Sequence, residues 1–82
     1  MALHGRIDSP DDLGRILQQG RLVRNITQRE LAEELGVSQR MIWEMESGKP
    51  SLYTDRLFAF MRATGIHLSA DLDEVPRGAN NG

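Results

Sequence analysis

Apolar residues recur at helical spacing in four stretches of the chain and at strand spacing in a fifth. Leu13, Ile16, Leu17, Gly20 and Val23 form the first stripe. Leu31, Ala32 and Leu35 form the second, and Ile42 and Met45, three apart, the third. Leu57, Phe60, Met61 and Thr64 share a face in the fourth, with Phe58 beside it as core rim or dimer contact. The period then changes: Ile66, Leu68, Ala70 and Leu72 alternate with His67, Ser69 and Asp71, a strand pattern.

The boundaries carry their own signals. Ser9-Pro10-Asp11-Asp12 starts a helix with a serine cap, a proline in the first turn and acids at the positive dipole end. Thr27 caps the next helix, and Glu30 completes a capping box. Gly36 suits the left-handed residue past that helix, and Val37 plugs the turn. Ser38 caps a third helix running from Gln39 to Glu46, which Ser47-Gly48-Lys49-Pro50 ends. A fourth begins between Ser51 and Thr54 and ends at Gly65. Gly14 and Gly20 cost helix stability, about 1 kcal/mol each relative to alanine. Gly20 lies on the apolar stripe, where close helix approach accounts for it; nothing in the sequence accounts for Gly14.

These signals predict one all-α domain of four helices with a C-terminal strand, over residues 9–74. Residues 1–8 read as a mobile lead-in and 75–82 as a disordered tail. One strand alone is unstable, and the residues around Ile7 are the sole other candidate in the chain. The simplest expectation is pairing across a homodimer, with Ile66, Leu68, Ala70 and Leu72 as the dimerisation residues.

The third helix is informative on its outward face, which carries Gln39, Arg40, Trp43 and Glu44. Glutamine can bond adenine N6 and N7, and arginine can bond guanine O6 and N7. Both sit in the first turn, the end that reaches base edges when such a helix enters the major groove. Ser38, Ser47 and Lys49 flank that helix, and Lys49 stands where it could reach a phosphate. The competing reading is a merely solubilising face. For Trp43 three readings stand: a thymine methyl, a phosphate or a neighbouring helix as the partner of its indole.

Composition sharpens this. Net charge is −2, unusual for a nucleic-acid module, so any positive surface must be local and binding sensitive to salt. Acids cluster at Asp8, Asp11 and Asp12 and at Asp71, Asp73 and Glu74. The aromatic residues are Trp43, Tyr53, Phe58 and Phe60, so the core is mostly aliphatic and modest. Without cysteine there is neither a disulfide nor a thiolate metal site. No apolar run spans a bilayer and no signal peptide stands at the N-terminus, which points to the cytoplasm.

The run TQRELAEELGVSQRMIWEMESG resembles the helix-turn-helix of phage Cro and repressor proteins, the Xre family. Gln28, Leu31, Ala32, Gly36, Val37, Ser38, Gln39, Ile42, Glu46 and Gly48 stand at the family's positions. The resemblance implies a lambda-repressor-like fold and binding to double-stranded, palindromic operator DNA. It implies that Gln28 bonds a phosphate oxygen, with Arg29 adjacent, and that Arg21 and Glu46 form a structural ion pair. Trp43 departs from the family, where a small or polar residue is usual. From about Ile7 to Leu72 the layout is most similar to HipB-like antitoxins. That implies an intersubunit C-terminal strand, autorepression and a HipA-like serine/threonine kinase toxin as partner. The acidic clusters, which cannot favour DNA, are candidate docking flanks, with solubility as the competing reading.

An enzyme is not expected. The histidines, His4 and His67, lie near the edges of the fold, and no metal-ligand spacing, phosphate loop or nucleotide fingerprint is present. No cofactor is expected either. The alternatives to an antitoxin are an Xre-type regulator of other genes and a mainly protein-binding helix-turn-helix module.

Overall fold

The computed structural model describes residues 3–73, with the side chains of Leu3 and His4 outside that description. Its elements run β1 (Leu3–Ile7), α1 (Pro10–Val23), α2 (Gln28–Leu35), α3 (Gln39–Ser47), α4 (Leu52–Thr64) and β2 (Leu68–Leu72). The expected tail over 75–82, with Glu74, falls outside the described residues.

Each helix starts where a hydroxyl side chain can accept an otherwise unpaired backbone N–H. Ser9, Ser38 and Ser51 accept from Asp12, Met41 and Thr54. Thr27 and Glu30 form a reciprocal capping box, at 3.0 and 2.8 Å. Helix α1 ends at Arg24, and Asn25 turns the chain with φ 57°. That left-handed conformation suits asparagine better than most residues.

The two strands pair antiparallel, with Ile7 opposite Leu68 and Leu3 opposite Leu72. Here two expectations are corrected. The supposed mobile lead-in is strand β1 from Leu3 onward, and β2 takes its partner from its own chain. The reason is that the pattern around Ile7 is too short to signal a strand alone. Its apolar end is nonetheless drawn inward: Ile7 is buried with Phe58 and Met61, and Leu13, Ile16 and Ala70 pack around them.

That cluster also resets the faces of α4. Phe58 is core, whereas Leu57 and Phe60 are exposed, Phe60 at 64%. Both faces satisfy helical spacing, and the position of β1 selects the one containing Phe58 and Met61. A second apolar centre lies in the helix-turn-helix half, where Ile42 (2% exposed) and Ala32 are buried. Met45, expected inside with Ile42, is half exposed and lines a groove with Leu13 and Leu17 instead. Leu17 and Val23 are likewise on the exposed side of α1.

The end of α3 rests on a backbone seat. Gly14 is buried where α1 crosses the end of α3, and a methyl group there would lie 2.5 Å from the Glu46 carbonyl oxygen and 2.8 Å from the Gly48 nitrogen. Gly48 completes the seat from the other side: it has φ +67°, and a side chain on it would meet Asp11 and the Pro10 carbonyl within 3 Å. The close approach therefore falls at Gly14. At Gly20 an added methyl would make only ordinary contact with Leu72, at 3.6 Å.

Candidate nucleic-acid interface

A buried ion pair ties the α2–α3 pair to α1. Arg21 donates to Glu46 twice, Nε to Oε2 at 2.5 Å and Nη2 to Oε1 at 2.9 Å. The two side chains are only 9% and 5% exposed. Arg21 also donates through Nη1 to the Ile26 carbonyl, so its guanidinium spans the α1–α2 turn and the end of α3. The Arg21 hydrogen bond holds the Glu46 carboxyl below its ordinary range despite burial, and Gln28 adds to the effect. The same bond raises the pKa of Arg21.

Gln28 belongs to this cluster. Its Nε2 donates to Glu46 Oε1 at 3.1 Å. An amide nitrogen carries two N–H donors, so one is committed to Glu46 and one is left. Nothing in the residue spacing links Gln28 to Glu46, because the contact exists only once α3 has folded back across α2.

On the outer side, Gln28, Gln39, Arg40 and Trp43 line one shallow concavity. Trp43 is 55% exposed there. Arg29 and Gln39 are exposed on their helices. Ser38 caps α3 with its hydroxyl oxygen, leaving its O–H as a donor. The Ser47 hydroxyl bonds the Glu44 carbonyl at 2.9 Å. Glu44 Oε2 accepts from Arg40 Nε at 3.3 Å and from Lys49 Nζ at 3.0 Å. Lys49 foremost, then Arg40, hold that carboxyl below its ordinary range. The structure thus brings Gln28, Gln39, Arg40 and Trp43 together, and ties Arg40, Glu44 and Lys49 into a second group, of which Arg40 and Glu44 are an i,i+4 pair on α3.

The acidic segment at the start of α1 is less open than its composition suggests. Asp8 pairs with Arg6 at 3.0 Å, and Asp12 accepts from the Asp8 N–H and from Arg15. The Asp8 N–H, then Arg15, lower the Asp12 pKa. His67, read as a solvated strand residue, is exposed but bonded: Arg6 Nη2 meets its Nδ1 at 2.5 Å. Among the described residues, no helix is long and apolar enough to cross a membrane.

Residues 17–70 match the model of the helix-turn-helix family. The chain is 33% identical over 63 residues to y4mF of Sinorhizobium fredii, described as an uncharacterized helix-turn-helix-type transcriptional regulator; the match covers 77% of this chain and 83% of that protein. No solved structure matches it significantly.

Proposed function

The chain belongs to the Xre/Cro-like helix-turn-helix family of DNA-binding transcriptional regulators, and from that premise we propose that it is a sequence-specific repressor, the antitoxin and autorepressor of a toxin operon. The observation that carries the DNA reading is the concavity shared by Gln28, Gln39, Arg40 and Trp43 beside the N-terminus of α3. In this reading α3 enters the major groove, Gln39 and Arg40 read bases, and Trp43 contacts a thymine methyl. Gln28 uses its second amide N–H for a phosphate oxygen. Arg29, Ser38, Ser47 and Lys49 contact the backbone around it. The Arg21–Glu46 pair holds α3 in place and touches no DNA.

A footprint on the region upstream of its own gene tests repression. Gln39→Ala or Arg40→Ala should each weaken operator binding by about 1–3 kcal/mol and relax specificity at one base position. Unchanged affinity for both variants would remove α3 as the reading element.

The antitoxin role is supported by the layout: a serine-proline helix start, four helices, Lys49-Pro50 after α3 and a terminal strand in a short chain. The partner in this reading is a HipA-like serine/threonine kinase, docked away from α3. Co-expression with the adjacent gene should recover a complex that still binds operator. No complex and no relief of toxicity would leave a regulator without a toxin partner.

A further inference from the structure

Glu44 stands on the DNA-facing side of α3 yet carries the charge that DNA repels. Its Oε2 bridges Arg40, at 3.3 Å, and Lys49, at 3.0 Å. Glu44 is 27% exposed, but its partners Arg40 and Lys49 are 82% and 57% exposed, so these are surface pairs of the kind that add little to stability. The buried Arg21–Glu46 pair already holds α3 to α1. The scaffold therefore gains little from Glu44, whereas DNA discrimination can use it.

We propose that Glu44 is a specificity-determining residue: it holds Arg40 and Lys49 in the free protein and weakens binding to any DNA that offers its carboxylate no hydrogen-bond donor. This rests on the DNA-binding reading of α3. Arg40 gives Glu44 its Nε–H and Lys49 one of three N–H groups, so each can turn its remaining donors to a base or a phosphate only with the carboxylate beside it. The carboxylate is then carried into the field of a polyanion and shares its partners' charge with the DNA. A phosphate cannot help, because it offers only acceptors. Relief comes from a base edge that donates, and in the major groove those are the exocyclic amines of cytosine and adenine. A site with such an amine under α3 compensates Glu44, and a site without one does not. The cost falls on the wrong sequences. It is also local, which matters in a chain whose net charge of −2 provides no general attraction to DNA.

The experiment titrates the full chain with a labelled random-sequence duplex, and with a duplex selected from a random pool by the wild type, over a salt series. Glu44→Gln keeps the size of the side chain and removes its charge. It should bind the random duplex about tenfold more tightly, with a salt slope steeper by about one, as expected for one further phosphate neutralised. Affinity for the selected duplex should rise less, so the ratio between the two falls. Glu44→Asp, which keeps the charge, should retain the wild-type slope. Adding Lys49→Ala to Glu44→Gln should return the slope towards wild type. Unchanged random-duplex affinity and slope in a Glu44→Gln protein that melts like wild type would overturn the proposal. Equal weakening on both duplexes would overturn it too, since that is the signature of a structural role. A wild type that enriches no duplex from the pool and does not bind the random duplex at low salt would overturn the DNA reading of α3 itself, and this proposal with it.

Discussion

Arg21 and Glu46 are the residues on which the position of α3 depends. Replacing Glu46 with Ala leaves a buried guanidinium without its anion, and breaking such a pair costs about 3–5 kcal/mol. Native domains have about 5–15 kcal/mol in total and one of this size sits near the low end, so Glu46→Ala should lose a large share of its stability, read as a much lower urea midpoint at neutral pH. Replacing both partners, as Arg21→Met with Glu46→Leu, should recover most of that loss, because apolar residues of similar volume carry no desolvation cost. The pair also sets an acid limit. Glu46 titrates below its ordinary 4.5 in the folded chain. Its contribution is therefore complete above about pH 4.5 and is lost as pH falls through the lowered value. The double variant should lose stability less steeply in that window. An equally steep acid transition would place the effect on other carboxyls, such as Asp12 and Glu30, which are lowered too.

At the scale of elements, the crossing of α1 over the end of α3 also bears on where α3 lies. A glycine-to-alanine change inside an exposed helix ordinarily stabilises it by about 1 kcal/mol. At Gly14 the sign should reverse. The added methyl would lie 2.5 Å from the Glu46 carbonyl oxygen, an atom of backbone that cannot rotate away. Gly14→Ala should cost about 1–3 kcal/mol, the usual range for overpacking, and urea unfolding reads it directly. A stabilised variant would mean that α1 and α3 separate easily. Gly20→Ala is the control, since its nearest neighbour is the flexible end of Leu72.

For the whole molecule, the open question of assembly moves from one surface to another. Ala70 and Leu72 are half-buried within the chain's own fold, and β1 occupies one edge of β2. A homodimer would therefore use the outer edge of β2 with Ile66 and Leu68, or the exposed apolar residues of α4. Tyr53 and Phe60 are 74% and 64% exposed on that helix, with Leu57 on the same side. We expect a two-fold dimer on a palindromic site with half-sites about one helical turn apart. Leu68→Asp or Phe60→Glu should give monomers in sedimentation and weaken operator binding sharply. A wild type that sediments as a monomer at micromolar concentration would remove this reading.

The sequence by itself determined what depends on near neighbours. Caps at Ser9, Thr27 and Ser38 and the left-handed stops at Gly36 and Gly48 were legible, because each rests on atoms within about one helical turn, while the start of α4 was legible only as lying between Ser51 and Thr54. The residues that match the helix-turn-helix pattern also pointed to Arg21 and Glu46, although 25 positions separate them. Only the tertiary structure decided which of two possible faces of α4 is core, that Gly14 rather than Gly20 is the point of close approach, and that β2 finds a partner in β1. It alone brought Gln28 to Glu46. Those outcomes turn on how elements distant in sequence are placed against one another. A periodic pattern says that a face will be buried, but the free energy of burying it depends on the shape and charge of whatever arrives to cover it.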